Sequence, residues 1–232
     1  MKKLLVSGDS FSSGWPLESS FRIWPDILAE KLDMECVNFA EPGAGNEHIF
    51  STLLDAIVDT PKKDIGLVFA MWSEFPRLDF ESVDGWIKTR PRKWWRNKSI
   101  PNNLNWELSS YLKELGIGMK DAPFSKSMRY FFSFQNICEN MKIDYFQMQG
   151  ILPCVRSRWM LKSPFADKID ETTFIGWPIV SELLGYCLLD ELSEKHVRHE
   201  DLHPNEEVHK YIAEFLYGII RNEGQKRTTI YG

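Results

Sequence analysis

The sequence predicts an α/β protein: a small parallel sheet with helices on both faces, interrupted by two irregular insertions. Three observations carry that expectation. Short apolar runs alternate with amphipathic stretches through the first seventy residues, as βαβ units require. The first run is closed by Gly8, where a strand hands over to a loop. A well-formed amphipathic segment then returns near the C-terminus.

Lys3–Ser7, closed by Gly8, reads as a buried strand. Trp24–Leu32 has helical spacing through Trp24, Ile27, Leu28, Lys31 and Leu32. Met34–Phe39 is a second strand. Asn46–Asp59 is an amphipathic helix on Ile49, Leu53, Leu54, Ile57 and Val58, and Ile65–Met71 is a third strand. The alternation then stops. Residues 76–125 are rich in Trp, Arg, Pro and Asn and show no long period. Helical spacing resumes at Ser127–Met141, and Ile143–Gln147 reads as a fourth strand. Residues 150–198 form the second irregular stretch, with one helix expected near Pro178–Leu192. The closing helix carries Val208, Tyr211, Ile212, Phe215, Leu216 and Ile219, with Asn205 as its cap and acids Glu206 and Glu207 in the first turn. From Glu223 the tail turns polar and is expected to fray. Residues 1–232 thus read as a single domain with insertions at about 76–125 and 150–198.

Composition sets outer bounds. Of 232 residues 43% are hydrophobic and 26% charged, which excludes disorder or coiled coil as a description of the whole. Twenty-eight Lys and Arg against 33 Asp and Glu leave a net charge of −5, which argues against wrapping nucleic acid over the whole surface. No apolar run approaches the ~20 residues of a membrane span. Lys2 and Lys3 imitate the start of a signal peptide, but Leu4–Val6 is too short for its apolar core of roughly 7–15 residues. The chain is therefore expected to be made without export and to stay in the cytoplasm. Cys36, Cys138, Cys154 and Cys187 are scattered without a CxxC pair, the pattern of free thiols in a reducing compartment.

In open parallel sheets the ligand site lies beyond the carboxyl ends of the strands. The loop after the first strand is Gly8-Asp9-Ser10-Phe11-Ser12. The loop after the second is Glu41-Pro42-Gly43-Ala44-Gly45-Asn46. The third strand ends in Met71-Trp72-Ser73-Glu74, and Glu200-Asp201-Leu202-His203-Pro204-Asn205 precedes the last helix. One serine, one Gly/Asn loop and an acid–histidine pair converge on one rim. That combination is what acyl transfer needs: a serine activated by a histidine base, a carboxylate to orient the base, and N–H donors for the developing oxyanion.

These blocks resemble the SGNH (GDSL-type) hydrolase family. Gly8-Asp9-Ser10 matches its first block, Asn38 to Gly43 its second, and Asp201/His203-Pro204 its last. The resemblance implies a three-layer α/β/α, flavodoxin-like fold with a mostly parallel sheet of about five strands. It also implies ester hydrolysis without a metal or organic cofactor, as in esterases, lipases and carbohydrate deacetylases. Ser10 would be the nucleophile, His203 the base, Asp201 the orienting acid and Gly43 an oxyanion donor. Asn46, Ser73 and Asp9 complete the oxyanion and substrate-binding set. Two positions depart from the pattern. The family's third-block Asn is absent from Ala70–Glu74, and its role falls to Ser73 or Asn46 or is lost. The family's Asp stands three residues before the His, where this chain has Glu200; Asp201 is favoured and Glu200 kept as the alternative. Gly-Asp-Ser-Phe-Ser, Pro-Gly-Ala-x-Asn, Trp-Ser-x-x-x-Arg and Asp-x-His-Pro together are similar to a divergent branch found in bacteriophage genomes, which would allow virion association.

Three other readings compete. His199-Glu200-Asp201-Leu202-His203 spells HExxH, the zinc pair of metalloproteases, which must lie on one helix face. Pro204 disfavours helical geometry at His203, and no apolar stripe accompanies the motif. A non-catalytic binding or structural module on the same fold is the second alternative. The third concerns Lys88–Lys98, basic and aromatic, with Arg92, Trp94 and Trp95 as a candidate lid over a small-molecule or glycan ester. The same composition leaves a local nucleic-acid contact open. His48, His196 and His209 are expected on helix surfaces or in caps, and Trp72 beside the oxyanion region.

Overall fold

The computed structural model describes residues 1–15, 21–89, 111–112, 114–115, 121–153, 155–192 and 203–231, with side chains to residue 222. A five-stranded, wholly parallel sheet runs in the order β2-β1-β3-β6-β7, from β1 (Lys3–Ser7), β2 (Glu35–Asn38), β3 (Ile65–Trp72), β6 (Tyr145–Gln149) and β7 (Phe174–Ile175). Helices α1 (Ser10–Ser13), α2 (Trp24–Lys31), α3 (Asn46–Asp59), α4 (Ala122–Met141), α5 (Ser157–Lys162), α6 (Leu188–Glu191) and α7 (Glu206–Tyr231) connect and cover it. The hairpin β4 (Leu78–Ser82) and β5 (Gly85–Thr89) is antiparallel and stands apart from the sheet.

The period of two along each strand divides the apolar runs between two layers. Leu5, Val68, Ala70, Trp72 and Tyr145 pack with α3 and α4 on one face. Leu4, Val6, Leu67, Phe69, Met71, Phe146 and Met148 pack with α2, α6 and α7 on the other. Continuous apolar runs are thus the signature of strands covered on both sides, and the result is the three-layer α/β/α fold that the sequence leads one to expect.

Strand order fixes where loops gather. The chain leaves β1 for β2 on one side and returns across it to β3 on the other. The loops after β1 and β3 therefore diverge at one point of the carboxyl edge, the switch point at which open sheets bind ligands.

Several elements differ from the sequence reading. The expected helix at Pro178–Leu192 is instead a tight loop followed by the four-residue α6. Ile179 (φ 58°) and Leu184 (φ 66°) are left-handed, which no α-helix accommodates. Gly185 lies so close that a Cβ there would come 2.4 Å from the Ile179 nitrogen. The stretch expected to be irregular at 150–198 holds the fifth strand, β7. The one at 76–125 holds the β4–β5 hairpin, and its last residues begin α4, five residues before Ser127. β6 starts at Tyr145 rather than Ile143, because the Ile143 N–H closes α4 on the Cys138 carbonyl at 2.9 Å. The tail does not fray at Glu223: α7 stays helical to Tyr231. His48 and His209 are wholly buried rather than on helix surfaces. His209 nonetheless acts as a cap, since its Nδ1 accepts the Trp24 N–H that opens α2, at 3.2 Å. Cys36, Cys138 and Cys187 are free thiols, and burial is the main cause pushing each up to about 12. Cys154 lies outside the described residues. Among the described residues no helix is long and apolar enough to cross a membrane.

The α3–α4 side of the core centres on Phe131, whose ring meets Trp72, Phe75 and Phe174 at centroid distances of 4.8, 5.9 and 5.2 Å. Truncation there leaves a void that three aromatic rings on different elements cannot all close. Phe131→Ala is expected to lower unfolding free energy by about 3–5 kcal/mol, read as a lower urea midpoint at unchanged slope.

Candidate active site

Glycine fits at position 8 because a Cβ there would come 2.8 Å from the Ser12 Cβ. That approach lets α1 start directly off β1. Asp9 caps α1: its Oδ1 accepts the Phe11 N–H at 3.0 Å, and its carbonyl takes those of Ser12 and Ser13. The single turn stops at Gly14 (φ 77°), whose N–H returns to the Ser10 carbonyl. Side chains hold two further carbonyls: Trp24 Nε1 donates to Phe11 O at 3.0 Å and Asn38 Nδ2 to Ser12 O at 2.9 Å. Ser10 is therefore the first residue of a pinned turn, 7% exposed, with a backbone N–H that has no acceptor inside the helix.

The second loop is tied to the first where the Glu41 N–H meets the Gly8 carbonyl at 3.1 Å. Glu41–Ala44 then make a turn, the Ala44 N–H bonding the Glu41 carbonyl at 3.1 Å. Pro42 is second and Gly43, at φ 79°, third, the signature of a type II turn. Gly43 is exposed, so its glycine answers to backbone conformation rather than to crowding.

Helix α3 opens on Gly45, which has no side chain with which to cap it. The cap comes from β4: Asp79 accepts the Gly45 N–H on Oδ1 and the His48 N–H on Oδ2, both at 3.0 Å. Burial raises the pKa of Asp79, and these two N–H bonds pull it the other way.

The third loop joins this frame through Ser73. Its N–H donates to Asn46 Oδ1 at 2.7 Å, its Oγ donates to Asp9 Oδ2 at 2.8 Å, and its carbonyl accepts from Gln149 Nε2 at 2.9 Å. Asn46 in turn donates from Nδ2 to Ser127 Oγ at 2.9 Å. Arg77 completes the set: one nitrogen, Nη1, donates to Asp9 Oδ2 at 3.2 Å and to Ala44 O at 3.1 Å, while Nη2 lies 3.7 Å from Glu74 Oε1. Asp9, 1% exposed, is thus held by its own turn and by two side chains of the loop after β3.

Ser10, Asp9, Gly43, Asn46 and Ser73 consequently belong to one connected rim. His203 reaches it from the approach to α7, its half-buried ring 5.8 Å from that of Phe11, the residue after Ser10. Asn205 caps α7 as expected, accepting the Val208 N–H at 3.0 Å. Asp201, Glu200 and His199, and the lid candidates Arg92, Trp94 and Trp95, lie outside the described residues. Trp72 points away from the rim into the core, with its indole N–H on Gln147 Oε1 at 3.0 Å. Asp79 and Gln149 escaped the sequence reading, and Arg77 entered it only as a letter in Trp-Ser-x-x-x-Arg. The available signal was Asp84-Gly85 between Leu78–Ser82 and Trp86–Thr89, a hairpin dipeptide that would have placed Asp79 on a strand.

No family model and no curated protein matches this chain. Solved structures do. A protein assigned to the lipolytic G-D-S-L family from Desulfitobacterium hafniense DCB-2 matches with TM-score 0.52 and 13% identity, over 94% of this chain and 99% of that one. TesA matches with TM-score 0.53 and 12% identity, over 96% and 99%. The psychrotrophic esterase EstA from Pseudoalteromonas sp., in a structure inhibited by monoethylphosphonate, matches with TM-score 0.52 and 14% identity, over 96% and 98%. At such identity the likeness is one of fold: this chain shares the α/β architecture of those proteins along nearly its whole length.

His48, on the first turn of α3, lies under this rim with Nε2 3.6 Å from Glu41 Oε1 and its ring edge-on to Trp86 at 5.1 Å. Burial pushes its pKa below 6.5, while Glu41 and Asp79 pull the other way. The unfolded chain therefore takes up a proton that the folded chain resists, and folding stability declines as pH drops through the range just below 6.5. Thermal unfolding is expected to show a lower Tm at pH 5 than at pH 7. His48→Phe, which removes the titrating group but keeps a ring beside Trp86, should shrink that difference.

Proposed function

We propose that the protein hydrolyses esters through a serine nucleophile, removing an acyl or acetyl group from a glycan or small-molecule carrier. The observation that carries this reading is Ser10 itself: a serine at the start of a pinned turn at the switch point, with the His203 ring against its neighbour Phe11. An esterase that shares the fold adds support.

In this mechanism Ser10 Oγ attacks the ester carbonyl carbon as His203 takes the hydroxyl proton. The tetrahedral intermediate collapses with loss of the alcohol, which receives that proton. Water, activated by the same imidazole, then releases the acid and restores Ser10. Asp201 orients His203, with Glu200 as the alternative. The N–H groups of Ser10 and Gly43 stabilise the oxyanion. Asn46 is the better source of a third donor, since it keeps one Nδ2 hydrogen beyond the one given to Ser127, whereas the single hydroxyl hydrogen of Ser73 goes to Asp9. That same loss of the Ser73 hydroxyl favours the second reading, a non-catalytic module on this fold.

Ser10→Ala is expected to abolish turnover of a short-chain p-nitrophenyl ester while leaving the circular dichroism spectrum unchanged, and a fluorophosphonate probe should label Ser10 in the parent. A folded parent that is neither labelled nor active supports the module instead. Of the two acid variants, Asp201→Asn is expected to lower kcat by up to ~10⁴-fold and Glu200→Gln only slightly; the reverse order would make Glu200 the orienting acid.

A further inference from the structure

The oxyanion pair proposed above draws its two N–H groups from different loops, so their separation depends on what joins those loops. Near Ser10 the frame is rigid, because Asp9 caps α1 and is buried. Gly43 is the opposite: it is exposed, at the crest of a turn that the described residues hold at its feet. One foot, Glu41, is tied to Gly8 by a backbone hydrogen bond. The other foot, Ala44, is tied by Arg77, and the nitrogen that holds its carbonyl also holds Asp9.

We infer that Arg77 is a positioning residue that sets the Gly43 N–H against the Ser10 N–H, with no contact to substrate; this rests on the ester-hydrolase reading. Its placement is over-determined from behind. The backbone of Gly45 packs on the stem of Arg77, where a Cβ on Gly45 would meet the Arg77 Cβ at 2.9 Å and Asp79 Oδ2 at 2.6 Å. Two residues on, Asp79 grips the Gly45 and His48 N–H groups. The segment Arg77-Leu78-Asp79 is thus a bracket with a cation on the carbonyl side of the second loop and an anion on its N–H side. The Arg77 side chain is 14% exposed and answers the charge of Asp9, so it is both fixed and poorly hydrated. In this arrangement the third loop, which lacks the family's asparagine, contributes by holding the other two loops in register rather than by donating to the oxyanion.

The transition state feels this register and the ground-state ester does not, so loss of the bracket should appear in kcat. With p-nitrophenyl acetate, Arg77→Ala is expected to lower kcat by about 10²-fold with KM nearly unchanged, the effect of an ångström-scale misplacement. Fluorophosphonate labelling should slow in parallel, and added guanidinium ion at millimolar concentration should restore part of kcat. Arg77→Lys keeps the buried charge but not the reach of Nη1, so it should lose roughly tenfold in kcat and supplies the test if the alanine variant does not fold. A folded Arg77→Ala or Arg77→Lys that keeps the parent kcat overturns the inference, as does a loss in Arg77→Ala that guanidinium leaves untouched and that only tracks a lower Tm. A parent that is neither labelled nor active overturns the hydrolase reading, and this inference with it.

Discussion

The carboxylate of Asp9 is the constraint from which the carboxyl edge of the sheet is built. A carboxylate removed from water costs several kcal/mol unless every lone pair finds a donor. Here the donors are the Phe11 N–H, the Ser73 hydroxyl and the Arg77 guanidinium. They arrive from two places in the chain about seventy residues apart, so the fold must bring the loops after β1 and β3 together before the charge is satisfied. Everything else on the rim is ordered relative to it. Ser73 carries Asn46 and thereby the start of α3; Arg77 carries Ala44. Such a network favours one arrangement over near neighbours, because a partly satisfied one leaves a charge exposed to apolar surroundings.

Strand β6 extends the same logic inward. Gln147 and Gln149 are completely buried on a strand that is otherwise apolar. Gln147 accepts the indole N–H of Trp72, and Gln149 donates to the carbonyls of Ser73 and Ile151, where the sheet ends and the ladder no longer provides donors. The end of β3 is therefore carried by amide side chains from its neighbour. An aromatic cluster sits directly behind it, so displacement of Ser73 would disturb the packing of Trp72, Phe131 and Phe134.

How much of this was legible in the sequence depended on the range of the interaction. Asn46–Asp59 came out with both ends in place, because helical spacing, a preceding glycine and a following β-branched residue are all local. The place of Ser10 at the carboxyl edge was legible because the loop that follows a buried strand emerges on that edge in any open parallel sheet. The segment 178–192 was misread for the opposite reason. Its leucines repeat at helical intervals, but Gly176 and Gly185 fold the backbone onto itself, and no local pattern records which atoms they touch. Asp79 was equally hidden, since a cap supplied from thirty residues away leaves no mark at the start of α3. His209 was assigned to a surface or a cap; the structure makes it a cap, and a buried one.

That contact between Trp24 and His209 spans 185 positions. It closes the layer in which α2 lies beside α7 and where Trp24, Leu28, Val208, Ile212 and Leu216 share one apolar cluster. On a ribosome the chain emerges from its N-terminus at ~5–20 residues per second. Helix α2 is complete long before its partner exists, and for that interval its apolar face and its first N–H wait in the open. The opposite layer, built from α3 and α4, can begin to consolidate earlier. Synthesis thus imposes an order on the two faces of the sheet, and the face completed last is the one whose closing helix follows His203, the ring set against Phe11.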